Sequence, residues 1–217
     1  NLTFFLLLPH QLCHLPKKED GTIDEVEAER MLDYAIESGV TYIDTAYPYH
    51  DGESEPFIGR VLKKYKREDF YLATKLPMFK IDSLEQAKEI LEEQMKRLDV
   101  DYVDFYLLHA LNKDTWKKVI DLNIIPYCEE LKKQGRIKNF GFSFHDDYEV
   151  FEEIINYRDW DFCQIQLNYI DTDIQAGMKG YKLTEEKNVP LVIMEPIKGG
   201  ALASLSDDIE QVFTDYN

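Results

Sequence analysis

The sequence predicts an α/β fold whose parallel sheet curls into a barrel, and two observations carry that prediction. Short apolar stretches rich in β-branched and aromatic residues alternate strictly with amphipathic stretches of helical period, which implies right-handed βαβ crossovers. Four of these strands run straight into polar or ionisable groups, at Asp44, Lys75, His109 and Ser143. A barrel gathers the C-terminal ends of its strands at one mouth, so recurrent polar strand ends are expected there. A doubly wound sheet is the alternative. No Gly-x-Gly-x-x-Gly opens any helix, so a Rossmann cofactor site is unsupported.

Seven strands can be counted along the chain. A greasy run from Thr3 through Phe4-Phe5-Leu6-Leu7-Leu8 reads as the first, and Gln11 to Gly21 as a loop. Asp24 starts a helix with Val26, Met31, Leu32, Ala35 and Ile36 at helical spacing, closed by Gly39. Tyr42–Asp44 is the second strand, and Ser54–Tyr65 a helix with Pro56 in its first turn. Phe70–Thr74 is a strand ending at Lys75, and Ser83 with Gln86 forms a capping box for a helix over Leu84–Leu98. Tyr102–Leu108 leads to His109, Ile124–Gln134 is a helix stopped by Gly135, and Ile137–Phe142 leads to Ser143. A helix Tyr148–Tyr157, the strand Phe162–Gln166, a helix Gln175–Lys187 and the strand Val189–Met194 follow, with a last helix near Ser206.

Composition narrows the function classes. A chain of 217 residues is expected to be a single domain over 1–217 with a real core. Apolar residues at 44% and charged residues at 31% are ordinary for a globular protein, while a net charge of −17 argues against nucleic acid. Acidic stretches such as Asp24–Glu29 and Glu89–Glu93 read as solvated helix faces. Cys13, Cys128 and Cys163 are odd in number with no Cys-x-x-Cys, so reduced thiols in a cytoplasmic protein are expected, with neither disulfide frame nor metal site. The run Leu2–Pro9 is too short to span a bilayer and lacks a basic flank, so no membrane association is expected.

Asp44, Tyr49, Lys75 and His109 all stand at or just after strand ends. Taken singly, each has a plainer reading: a loop cap, one of 14 packing tyrosines, a surface lysine, a satisfied buried histidine. Together they suit one reaction. A phenol is a poor acid at neutral pH, but a neighbouring ammonium favours its phenolate and brings its pKa toward working pH. Asp44 would keep Lys75 charged and oriented, and His109 would hydrogen-bond a carbonyl. That set suits proton delivery to a carbonyl oxygen while a hydride attacks its carbon.

At these residues the chain resembles the aldo-keto reductases, from about Gly21 to Gly200. Asp44-Thr45-Ala46-x-x-Tyr49 is similar to the family's active-site signature, and Lys75 in Ala73-Thr74-Lys75 and His109 in Tyr106-Leu107-Leu108-His109 fall where the family keeps its lysine and histidine. The resemblance implies a (β/α)8 TIM barrel that binds NADP(H) extended, NAD(H) being the other nicotinamide option, with tyrosine as general acid and a small-molecule carbonyl as substrate. It also implies that Ser143 and Gln164 hold the nicotinamide carboxamide, and that Met194-Glu195-Pro196-Ile197 (Met194, Pro196 and Ile197 above all) lies against nicotinamide and pyrophosphate. Many members carry an aromatic ring where Met194 stands, and often an asparagine where Phe144 stands. The run Ser143-Phe144-His145-Asp146 resembles a bacterial or archaeal branch that often adds a cysteine-rich iron–sulfur segment, whose cysteines the 217 residues do not contain.

Two departures stand against that pattern. Leu8-Pro9-His10-Gln11 has no glycine where the family's first strand turns near the nicotinamide, and the sequence reaches Asn217 soon after strand seven. The expectation is therefore a barrel incomplete at its C-terminal side, without strand eight, its helix, or the basic loop that grips an adenosine 2′-phosphate. The main functional reading is an NADP(H)-dependent reductase of aldehydes or ketones. A non-catalytic, nicotinamide-sensing or partner-binding module and a Schiff-base aldolase using Lys75 are the other readings, and the choice between monomer and dimer stays open.

Overall fold

The computed structural model describes residues 7–8 and 15–203. The rest of the expected first strand, the Leu8-Pro9-His10-Gln11 turn beyond Leu8, Cys13 and the helix near Ser206 lie outside the described residues. The strands are β1 (Leu7–Leu8), β2 (Tyr42–Asp44), β3 (Tyr71–Leu76), β4 (Val103–Leu111), β5 (Ile137–Phe144), β6 (Phe162–Gln166) and β7 (Leu191–Met194). They form one sheet in the order β1-β2-β3-β4-β5-β6-β7, every pair parallel. Sequential order settles the architecture. Right-handed crossovers that always step the same way place every helix on one face, and a sheet covered on one face only must curl to bury the other. A doubly wound sheet reverses its strand order at a switch point, and this one never does. The fold is a partial β/α barrel.

The helices are α1 (Glu25–Glu37), α2 (Ser54–Leu62), α3 (Leu84–Leu98), α4 (Lys113–Asp121), α5 (Ile124–Lys133), α6 (Tyr148–Tyr157) and α7 (Gly177–Lys187). Asp24 caps α1 by accepting from the Glu27 amide, and Ser83 caps α3 by accepting from the Gln86 amide. The expected capping box is only half formed, because the Gln86 side chain reaches the Asp82 amide instead of that of Ser83. Helix α4 was not anticipated. Its nine residues place Trp116, Val119 and Ile120 at helical spacing and bury Thr115, Trp116 and Val119, and its start is fixed by reciprocal bonds between Asn112 and Thr115.

Other boundaries move for local reasons. α2 stops at Leu62 because tight turns through Lys64 and Tyr65 take the Val61 and Leu62 carbonyls. Gln175 is left-handed at φ 56°, so α7 begins after it. Val189 donates to the Thr184 carbonyl and closes α7, which delays β7 to Leu191. β3 and β4 run past their expected ends because Lys75 and Leu76 pair with Leu107 and Leu108, and a bulge with Ala110 at φ 52° carries β4 on to Leu111.

Strand parity separates two cores. The larger lies between strands and helices and includes Ile43, Leu72, Phe140, Phe142, Leu91 and Phe151. The smaller fills the barrel interior: Tyr42, Ala73, Leu107 and Phe162, with Phe105 and Val192 against them. Phe105 makes edge contacts with Tyr42 and Phe162 at centroid distances of 5.2 and 5.0 Å. Gly141 makes room for this floor, since a Cβ there would stand 2.7 Å from the Phe162 ring and 2.4 Å from its carbonyl oxygen. At the opposite end from the mouth, Asp104 accepts from the Leu72 amide and Arg67, and Asp161 from the Phe140 amide and Lys132, tying strand starts together.

Candidate active site

Register carries the inward face of each strand to the next. Asp44 pairs with Ala73, Lys75 with Leu107, Ser143 with Gln164, and Gln166 with Met194. Asp44, Lys75, His109, Ser143, Gln164 and Met194 therefore share the parity of the aromatic floor and lie beyond it toward the C-terminal ends. All six are buried.

Lys75, 1% exposed, donates its ammonium protons to the Asp44 carboxylate, to the Thr45 carbonyl at 2.9 Å and to the Tyr49 hydroxyl oxygen at 3.3 Å. Three donors thus meet three acceptors. Burial disfavours the ammonium, but the charges of Asp44 and Tyr49 and their hydrogen bonds outweigh it, and the Lys75 pKa is raised. Burial raises the Asp44 carboxyl against the pull of Lys75, and Gln164 Nε2 and the Tyr42 hydroxyl also donate to it, each at 3.4 Å. Both charges sit where water cannot screen them, so the pair is held by mutual need.

Tyr49 follows a turn in which its amide donates to the Ala46 carbonyl at 3.1 Å. His50 and Asp51 then take left-handed backbone at φ 51° and 57°, and His50 Nε2 accepts from the Leu15 amide at 3.2 Å. The Tyr49 ring stands edge-on to His109, centroids 5.7 Å apart, with Lys75 Nζ 4.9 Å from the Tyr49 centroid. Phe79, 47% exposed, tilts over His109 at 5.7 Å and walls the mouth. Asp44, Tyr49, Lys75 and His109 thus occupy one pocket.

The remaining expected residues divide. Ser143 Oγ accepts from the Ala110 amide at 2.8 Å, which leaves its own O–H to donate. Gln164 is oriented by Asp44, since a carboxylate can only accept; its Oε1 is buried and meets no hydrogen-bond partner among the described residues. Met194 is 2% exposed on the inner face of β7, whereas Pro196 and Ile197 are exposed on the turn beyond it. That turn is tied to the loop after β6: Lys198 pairs with Asp171 at 3.0 Å, and Asn168 donates to Asp171 and to the Glu195 carbonyl.

Sequence reading passed over Tyr42 and Gln166, although both share the inward parity, two residues from Asp44 and from Gln164. It also missed His145, which lies at the mouth within electrostatic range of Glu195 and Lys75 and whose imidazolium is disfavoured, mainly by burial. Among the described residues no group of acidic, His and Cys side chains could hold a metal ion, and no helix is long and apolar enough to cross a membrane.

A parallel β/α barrel that buries an ion pair at the C-terminal mouth of its strands holds ionisable groups where enzymes of this architecture keep theirs. The aldo/keto reductase family model matches residues 13–216, and the chain belongs to that family. It is similar to the uncharacterized oxidoreductase YqkF of Bacillus subtilis (strain 168), 30% identical over 81% of this chain and 58% of that protein. It is also similar to the NADH-specific methylglyoxal reductase of Escherichia coli (strain K12), 24% identical over 82% of this chain and 60% of the relative. Among solved structures, aldo-keto reductase AKR11C1 from Bacillus halodurans in its holo form matches with a TM-score of 0.64 and 30% identity, covering 78% of this chain and 57% of that one. The chain spans about 60% of the length of these curated relatives.

Proposed function

We propose that this chain carries the proton-delivering site of an NAD(P)H-dependent reductase that converts an aldehyde or ketone to an alcohol. The observation behind the reading is the buried Lys75 ammonium, 3.3 Å from the Tyr49 oxygen and neutralised by Asp44. Tyr49 donates its proton to the substrate carbonyl oxygen. As that proton leaves, negative charge on the phenol oxygen is compensated by the ammonium already pointed at it, so little reorganisation is needed. Asp44 keeps Lys75 charged and aimed. His109 lines the same space and orients the carbonyl. The reduced nicotinamide supplies the hydride when bound.

Residues of this chain fit such a group. The buried Gln164 Oε1 has capacity to accept from a carboxamide N–H, and the Ser143 hydroxyl to donate to a carboxamide oxygen. Met194 offers a polarisable thioether for a ring face, and Pro196 and Ile197 line the outer turn. We assign NADP(H) as cofactor with NAD(H) as the other option, the Escherichia coli relative being NADH-specific by name; that name also favours a small oxoaldehyde as substrate. The raised, ion-paired Lys75 speaks against a Schiff base there, because an imine forms only from a neutral amine.

The test is NADPH fluorescence on titration, followed by loss of absorbance at 340 nm with a nitrobenzaldehyde. Tyr49→Phe should abolish turnover with cofactor binding nearly unchanged, while the melting temperature falls by a few degrees because the buried Lys75 ammonium loses one of its three acceptors. A Tyr49→Phe variant with the wild-type rate discards the assigned acid. Cofactor binding without turnover in the wild type favours the non-catalytic reading.

A further inference from the structure

Behind the pocket, on the helix side of the sheet, lies a polar network to which the proposed chemistry assigns no task. Glu55, in the first turn of α2, is 0% exposed. Its Oε1 accepts from Thr74 Oγ1 at 2.6 Å and from Gln94 Nε2 at 2.8 Å. Gln94 is also fully buried; it donates to the Lys75 carbonyl at 3.0 Å and accepts from the Tyr106 hydroxyl at 2.9 Å. One turn further along α3, Arg97 Nη1 lies 3.4 Å from both Glu55 Oε2 and the Tyr47 carbonyl, and Nη2 donates to Glu93 at 2.7 Å. The Arg97 guanidinium also stacks on the Tyr47 ring at 4.3 Å, and the Tyr47 hydroxyl closes the ring of contacts by donating to Glu93 at 2.8 Å. The loop bends over this cation: a Cβ at Gly52, φ 94°, would meet Arg97 Nη1 at 3.4 Å.

Tyr47 stands two residues before Tyr49, and Gln94 holds the backbone of Lys75. Helix α3 therefore grips both ends of the phenol–ammonium contact from outside the barrel. We propose that Arg97 is a positioning residue: anchored to the buried Glu55, it fixes the loop from Tyr47 to Gly52 so that the Tyr49 oxygen stays within hydrogen-bond reach of Lys75. The inference rests on the Tyr49–Lys75 reading above. A flexible point charge cannot replace the planar fork and its stacked face, so lysine at 97 is a poor substitute.

The test reads Tyr49 ionisation directly, without cofactor or turnover, by NMR titration of protein labelled at tyrosine 13Cζ, the Tyr49 signal being assigned by its absence in Tyr49→Phe. The charged and titratable groups facing Tyr49 are Lys75, His109 and Tyr42, with Asp44 behind Lys75; those facing Arg97 are Glu55, Glu93 and Tyr47, with Lys80 beyond that ring. Arg97→Met should move the Tyr49 midpoint upward, lowering its phenolate fraction at a fixed pH below the midpoint about threefold. Tyrosines outside this network, such as Tyr148 beside Glu152 and Tyr181 beside Glu185, should stay in place. Arg97→Lys, which keeps the charge opposite Glu55, should move it in the same direction by less, and it reports the effect if Arg97→Met fails to fold. Lys75→Met is the control and should move Tyr49 furthest. An unmoved Tyr49 in a folded Arg97 variant, with Lys75→Met shifted, overturns the positioning role alone. An unmoved Tyr49 in Lys75→Met overturns the reading of the pocket and this inference with it.

Discussion

Lys75→Met asks how the buried ion pair is held. Asp44 is 0% exposed and Lys75 1%, so removing the ammonium strands a carboxylate that keeps, among the described residues, only long hydrogen bonds from Gln164 and Tyr42, each 3.4 Å. Breaking one side of such a pair costs about 3–5 kcal/mol. At roughly 2–4 °C per kcal/mol for a chain of this size, the melting temperature should fall by about 6–20 °C at neutral pH. The loss should depend on pH. Burial already raises the Asp44 carboxyl, and the variant lacks the charge that opposed it. With a folded pKa above the unfolded value near 3.9, Asp44 penalises the variant least below about pH 4 and increasingly as pH rises toward the folded pKa, at up to about 1.4 kcal/mol per pH unit. Urea unfolding at pH 5 and pH 8 should therefore show the variant closer to wild type at pH 5. Asp44→Asn combined with Lys75→Met removes the stranded charge and should recover more than half of the loss. A single variant that loses less than about 1 kcal/mol, equally at both pH values, refutes the buried-pair account.

Three further outcomes are expected. Gly59→Ala places a Cβ 2.5 Å from the Arg97 carbonyl oxygen and 2.8 Å from that of Leu98, forcing α2 off α3; a loss of about 1–3 kcal/mol or more in urea unfolding should follow. Gln164→Leu removes the orphaned acceptor and should weaken NADPH binding about tenfold by fluorescence, since one good hydrogen bond is worth about 1–1.5 kcal/mol; unchanged affinity excludes Gln164 from the cofactor site. In the intact protein Lys75 has a raised pKa, so its stabilisation is complete below the ordinary lysine range near 10.4 and is lost only as pH rises through the higher folded value. Urea unfolding should accordingly show the stability difference between wild type and the double variant constant below about pH 10 and shrinking above it.

Much of the frame was legible in the residues. Apolar strands alternating with amphipathic helices determine a parallel sheet, and α3, α6 and β6 fall within the bounds their patterns predict. The inward parity shared by Asp44, Lys75, His109, Ser143 and Gln164 is likewise a property of spacing, because period two fixes the face once a strand is recognised. Short elements were less visible: α4 has only nine residues, and β7 waits on the Val189 bond that closes α7.

Tertiary structure alone decided the rest. Strand order separated a barrel from a doubly wound sheet, because periodicity says which face is buried but not which strand lies beside which. The partners of each charge were equally hidden. Lys75 meets Asp44 across 31 residues, Gln164 meets Asp44 across 120, and Arg97 reaches Tyr47 across 50. Such contacts exist only once crossovers have curled the sheet and laid α2 and α3 against it. A sequence states which groups are available; the folded geometry states which of them must neutralise one another.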